Sequence, residues 1–236
     1  MFGQGFFDPR ILTVRIPAFL LALTIHEFMH GWTANRLGDD TAKLMGRLTF
    51  NPIAHLDAWG VAFMMMVGFG WAKPVPVNIA RLARPRRDIL LVSLAGPLAN
   101  LGLACFFGTA LRIGCVFLEG KEDPISAGLG WIFSFACISV MINCILAAFN
   151  MLPIPPLDGS KLWASLLPSR GWEIRMARWE AHGPILLFVL LIWDRMGSMP
   201  GPLNWYLSGV LNLLVPIFSG MDSFQLWYRS MSMLGG

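Results

Sequence analysis

Apolar positions dominate this chain in long runs separated by short polar punctuation. The first run predicts a helix from Arg10 to Arg36, stopped by "LGDD". After it, "TAKLMGRLTFNPIAHLD" alternates apolar with polar or β-branched residues, the pattern of extended segments. The next run, "AWGVAFMMMVGFGW", is too short to span a bilayer comfortably, which takes roughly 20 residues, so 59–70 reads as a re-entrant or half-helix as readily as a crossing, and the charge pattern below favours the re-entrant reading. "KPVPVN" is held extended by its prolines and leads into the basic stretch "RLARPRRD". A long helix is predicted over Ile89–Leu118, then a polar turn "EGKEDP", then a helix over Trp131–Leu152. "PIPPLDGSKLW" breaks that helix, and "LLPSRGWEIRMARWEAHG" reads as an interfacial amphipathic segment. Apolar runs at 183–193 and 203–219 complete the pattern.

These runs predict an all-α polytopic membrane protein of four to six transmembrane segments, with a small membrane-associated β-sheet or re-entrant element. Composition agrees. Hydrophobic residues make up 56%, charged residues only 14%, and mean hydropathy is +0.60; soluble domains carry about 25% charge. The expectation is one integral membrane domain over 1–236, with its core at 10–170 and C-terminal membrane helices at about 180–220. The N-terminal run has no basic leader or small-residue cleavage site, so it is expected to stay as a helix.

The net charge of +4 does not point to nucleic acid. Basic residues gather in segments that one topology puts on one side: Arg36, Lys43, Arg47, Lys73, Arg81, Arg84, Arg86, Arg87, Lys161, Arg170, Arg175 and Arg178. The other side holds Arg10, Arg15, Arg112, Lys121 and Arg195. That asymmetry makes the first side cytoplasmic, although Arg10 and Arg15 lie on the wrong end. Cys105, Cys115, Cys137 and Cys144 lack metal-site spacing and read as packing residues.

Against this background, "HEFMH" at 26–30 demands a reason, because ionisable groups at bilayer depth are costly and mark function. At i and i+4 of a helix, His26 and His30 can reach one Zn²⁺. Glu27, offset around the helix, can accept a proton from water at the metal. Two protein ligands are one short of a catalytic zinc site. Asp158 in "NMLPIPPLDGS" is the candidate third: three prolines break the helix before it, and Gly159 permits an unusual backbone angle after it. Aspartate also caps helix starts, and spacing leaves both readings open. His55 and Asp57 read as a polar loop near the interface, with a pair supporting the metal ligands or another metal site as the alternatives, His182 reads as interfacial, and Met64–Met66 as packing.

HEFMH in a membrane helix, followed by Asn150-x-x-Pro153-x-x-x-Leu157-Asp158-Gly159, resembles the site-2 protease family of intramembrane zinc metalloproteases. "GWAKPVPVN", "NPIAHLD" and "AGPLAN" resemble its compact bacterial branch without a PDZ domain. The resemblance covers about residues 15–170. It implies His26, His30 and Asp158 as ligands of one zinc per chain, Glu27 as general base, and Asn150 beside the metal, orienting substrate or stabilising the oxyanion. It further implies a membrane-embedded sheet from segments near 43–51 and 73–78 that pairs with an unwound substrate strand. The substrate would be a membrane protein or a remnant transmembrane peptide. The setting would be the bilayer of a bacterial inner membrane, with the site nearer the cytoplasmic face. The alternative is a non-catalytic metal-binding membrane protein. A transporter would show paired broken helices, and only one clear break is present; a pseudo-protease scaffold would have lost Glu27.

Overall fold

A computed structural model describes residues 8–60, 71–118, 127–166, 172–196 and 201–235. Helix α1 (Pro9–Arg36) begins one residue earlier than expected. Asp8 is the reason: its Oδ1 accepts from the Arg10 backbone N–H at 2.9 Å, and Pro9 suits the first helical position. Gly38, with φ of 107°, turns the chain at the far end so that the Asp39 N–H reaches the Ala34 carbonyl. A single turn, α2 (Thr41–Leu44), and two short 3₁₀ turns follow before the long α3 (Pro85–Leu118). Its start has the same logic: Pro85 occupies the first helical position, and buried Asp88 accepts from the Arg84 N–H at 2.7 Å. Then come α4 (Ala127–Asn150), α5 (Asp158–Leu166), α6 (Trp172–Met196), α7 (Pro202–Ser219) and α8 (Ser223–Gly235).

Among the described residues, α1, α3 and α4 are long and apolar enough to cross a membrane. A fourth crossing results if α7 and α8, bent by 66°, form one span. The chain is therefore a multi-pass helical membrane protein; the described residues supply three crossings, one fewer than the least expected, unless the bent pair makes the fourth. Most of the 59–70 segment lies outside the described residues.

The expected sheet is not there. Among the described residues there is one isolated antiparallel bridge, Leu56 with Ala72, and no strand. Residues 41–44 are helical instead, and 73–78 is extended without a strand partner. Pro74 and Pro76 have no N–H to give a ladder. The Val75 and Asn78 N–H groups go to the carboxylates of Glu27 and Asp39. A second difference concerns 172–196, where the expected interfacial segment and apolar run are one helix through Gly183 and Pro184.

The chain divides into two compact units. In the first (1–22, 100–146 and 205–236), Leu111 of α3, Cys137 and Val140 of α4, Val215 of α7 and Leu226 of α8 form a buried core. Gly108 admits the Phe218 backbone, where a Cβ would lie 2.7 Å from the carbonyl carbon, as small residues allow between membrane helices. Outward-facing Phe106, Ile113, Ile132 and Leu213 suit contact with lipid. Buried Asn100 donates to the Ala22 carbonyl at 3.1 Å and to Asn143 Oδ1 at 2.8 Å, satisfying polar groups that hydrocarbon cannot. The second unit (23–99 and 147–204) contains the residues of chemical interest.

Candidate metal centre

His26 and His30 stand one helical turn apart on α1, and both are buried. Their Nε2 atoms approach to 3.0 Å. Asp158 opens α5, yet its Oδ2 points at both imidazoles, 3.2 Å from His26 Nε2 and 3.1 Å from His30 Nε2. The helix-cap alternative is thus not the use the fold makes of that oxygen. Among the described residues, His26, His30 and Asp158 form the one group of three or more His, Cys, Asp or Glu side chains gathered closely enough for a metal.

The donor set fits zinc. Two imidazoles and one carboxylate match the composition of catalytic zinc sites. Separations of 3.0, 3.1 and 3.2 Å lie close to the roughly 3.3 Å edge of a tetrahedron with about 2.0 Å bonds. His30 Nδ1 donates to the Val92 carbonyl at 2.7 Å, which turns the lone pair of Nε2 inward. Three donor atoms converging this closely form a group that could hold a cation.

Two glycines make the room, and both do so through space. Gly96 of α3 faces the rings: a Cβ there would lie 2.6 Å from His26 Cε1 and 2.7 Å from His26 Nε2. A Cβ at Gly159 would overlap the carbonyls of Met151 and Leu152, which lets α5 start directly against the end of the break. Gly159 has no positive φ, so the unusual backbone angle expected there is replaced by close approach.

Glu27 is 8% exposed, and its Oε2 accepts from the Val75 N–H at 2.9 Å. Asn150 is the half-buried last residue of α4. His55 is occupied elsewhere, its buried ring N–H donating from Nε2 to the Thr49 carbonyl at 2.9 Å, and Asp57 accepts from the Gly60 N–H at 2.8 Å. These are loop-forming bonds. His182 is exposed, as an interfacial residue would be. The Val92 carbonyl, Gly96 and the Val75 amide had no reading from sequence as parts of the site. Gly96 lies in "AGPLAN" and Val75 in "KPVPVN", while nothing in the sequence marks the Val92 carbonyl.

A family model for peptidase family M50 matches residues 15–122 and 114–192. YwhC of Bacillus subtilis, named as a zinc metalloprotease, is 40% identical over 202 residues, covering 84% of this chain and 90% of its own. Rip2 of Mycobacterium tuberculosis, named likewise, is 31% identical over 230 residues, covering 92% of this chain and 83% of its own. MJ0611 of Methanocaldococcus jannaschii, also so named, is 40% identical over 193 residues, covering 76% and 88%. No solved structure gives a significant match. With two imidazoles and a carboxylate converging inside a membrane helix bundle, the chain belongs to peptidase family M50, the site-2 proteases, and is a zinc metalloprotease.

Proposed function

We propose that this enzyme hydrolyses peptide bonds in or beside the transmembrane segments of other membrane proteins. One observation carries the reading: two of the three donors, His26 and His30, are built into a helix long and apolar enough to cross a bilayer, and Asp158 reaches them there. At 1.5 Å per residue, His30 and His26 lie about 9 and 15 Å from the Arg36 end of α1, inside a hydrocarbon layer of about 30 Å. A metal held there meets a polypeptide that is itself in the membrane. The basic residues around Arg36 and Arg84–Arg87 support a cytoplasmic position for that end of α1.

His26, His30 and Asp158 would hold the zinc. Bound there, zinc supplies Lewis acidity, which polarises a carbonyl and lowers the pKa of water. The chain's own part is proton handling and orientation. Glu27 is one residue from a ligand and buried, so its carboxylate can take the proton of the attacking water and return it to the departing amine. Asn150, at the end of α4 before the break that delivers Asp158, orients the substrate or donates to the developing oxyanion.

The test is Glu27→Gln in proteoliposomes carrying a single-pass model substrate. Glutamine keeps the shape and the hydrogen-bonding reach but removes the proton acceptor. Cleavage should fall by at least about 10²–10⁴-fold, with one zinc per chain retained and uncut substrate co-purifying. Zinc-replete Glu27→Gln protein cutting at the wild-type rate overturns the role of Glu27. Equal cleavage of soluble peptides and membrane-embedded segments overturns the substrate class.

A further inference from the structure

In the tripeptide Pro74-Val75-Pro76, only Val75 has a backbone N–H. That single donor goes to Glu27 Oε2, at 2.9 Å and buried. That contact ties one oxygen of the carboxylate to the segment and so orients the group. The Val75 side chain is buried and packs over Gly31, where a Cβ would lie 3.1 Å from Val75 Cγ1. Gly31 directly follows His30, so the extended segment lies against the turn of α1 that carries the donors.

The segment is fixed at both ends by side chains. Arg47 Nη2 donates to the carbonyls of Lys73, at 2.7 Å, and Pro74, at 3.3 Å. Fully buried Asp39 accepts from the Asn78 N–H at 2.6 Å on Oδ2, while its Oδ1 takes the Thr41 N–H at 3.0 Å and the Thr41 hydroxyl at 2.5 Å. Flanking prolines restrict φ and stiffen what lies between these anchors. A rigid extended run with one amide to offer, delivered to a buried carboxylate, is more than a connecting loop requires.

We propose that segment 73–78 is a positioning element for the Glu27 carboxylate: the Val75 amide makes the contact, and Arg47 and Asp39 hold that amide in place. The proposal rests on the reading of Glu27 as the proton carrier. Val75→Pro deletes the N–H in an already extended backbone, and Val75→Ala keeps it. In proteoliposomes with the single-pass substrate, Val75→Pro should lower kcat by roughly 10–100-fold, the usual effect of losing a partner that orients a catalytic group. KM and zinc per chain should stay at wild type, and Val75→Ala should retain kcat. Arg47→Ala should lower kcat in the same way, with Arg47→Lys recovering part of it through one carbonyl contact.

Wild-type kcat in Val75→Pro overturns the proposal, as does a loss expressed in KM or zinc content with kcat unchanged, since that is what a merely structural segment would produce. If Val75→Pro fails to accumulate, the Arg47 pair decides by the same criteria: a kcat loss recovered by lysine supports positioning, and any other pattern overturns it. Glu27→Gln separates the two readings. An inactive Glu27→Gln beside a fully active Val75→Pro removes only the positioning role, whereas an active Glu27→Gln removes the proton carrier itself.

Discussion

Replacing Gly96 with alanine is the most direct test of the metal centre, because it leaves every donor atom in the chain untouched. The new methyl group would lie 2.6 Å from His26 Cε1, 2.7 Å from His26 Nε2, and nearer still to His30 Nε2. Ordinary contacts of this kind sit at about 3.5 Å, so the rings must move by roughly 1 Å or α3 must retreat. Either response damages the site. Ligand distances are held to within about 0.2 Å. Retreat of α3 would also pull the Val92 carbonyl, one turn before Gly96, away from His30 Nδ1, now 2.7 Å off. Overpacking typically costs about 1–3 kcal/mol, which corresponds to roughly 5- to 150-fold weaker zinc binding if the strain falls wholly on the site. Metal content per purified chain, followed by titration with a chelator, measures this. Gly102→Ala is the control: it lies on the same helix with nothing within 4 Å of its Cβ, and should leave zinc unchanged. Gly96→Ala protein with one zinc per chain and wild-type resistance to the chelator would refute the reasoning.

Three further outcomes are expected. Asp158→Ala should lower bound zinc, since the site loses its anionic donor, while Asp57→Ala should not; metal loss confined to Asp57→Ala would reverse the assignment. Asn143→Ala removes the acceptor of Asn100 Nδ2 and the donor to the Ser139 carbonyl, and should destabilise the protein by about 1–2 kcal/mol in thermal unfolding. No shift in the midpoint would mean that the Asn100 bond to the Ala22 carbonyl suffices. In a cysteine-free background, Arg84→Cys and Gly128→Cys should be labelled by impermeant reagents from opposite faces of the membrane, and same-side labelling would overturn the orientation.

Where the sequence could be read, a side chain carried the signal. The crossings of α1, α3 and α4 follow from apolar run length, and His26, Glu27 and His30 from a five-residue spacing on a helix. Asp158 was visible because three prolines have to end α4 for a carboxylate to arrive beside α1. Helix ends shifted where caps decide them, at Asp8–Pro9 and at Arg84–Asp88. Gly183-Pro184 looked like a stop, yet α6 continues through it. Pro184 forfeits only one helical bond, the one to the carbonyl of Glu180. The glycine also serves packing: a Cβ at 183 would lie 2.8 Å from the Pro155 carbonyl carbon, so α6 can approach the broken segment. The sheet misled for a related reason. Segment 73–78 carries the prolines that suggested an extended run, but its available N–H groups found carboxylates before they found a strand.

What stayed hidden around the metal is supplied by backbone or by the lack of a side chain. A carbonyl at Val92 and an N–H at Val75 are atoms that almost every residue possesses, so no residue type announces them. Gly96 and Gly159 act by what they leave out. A metal ion and the oxygen of a scissile peptide both need volume immediately beside three converging donors, in a bundle otherwise packed to near-crystalline density. A Cβ at either position would occupy space that the donors or the broken segment already use. The fold thus reaches a tight triad from opposite requirements. Prolines and a helix start bring the carboxylate in, and glycines keep the neighbouring backbones close without covering the donors. Any residue larger than glycine at 96 trades metal for methyl, which is why a change of one carbon there should be as informative as the loss of a ligand.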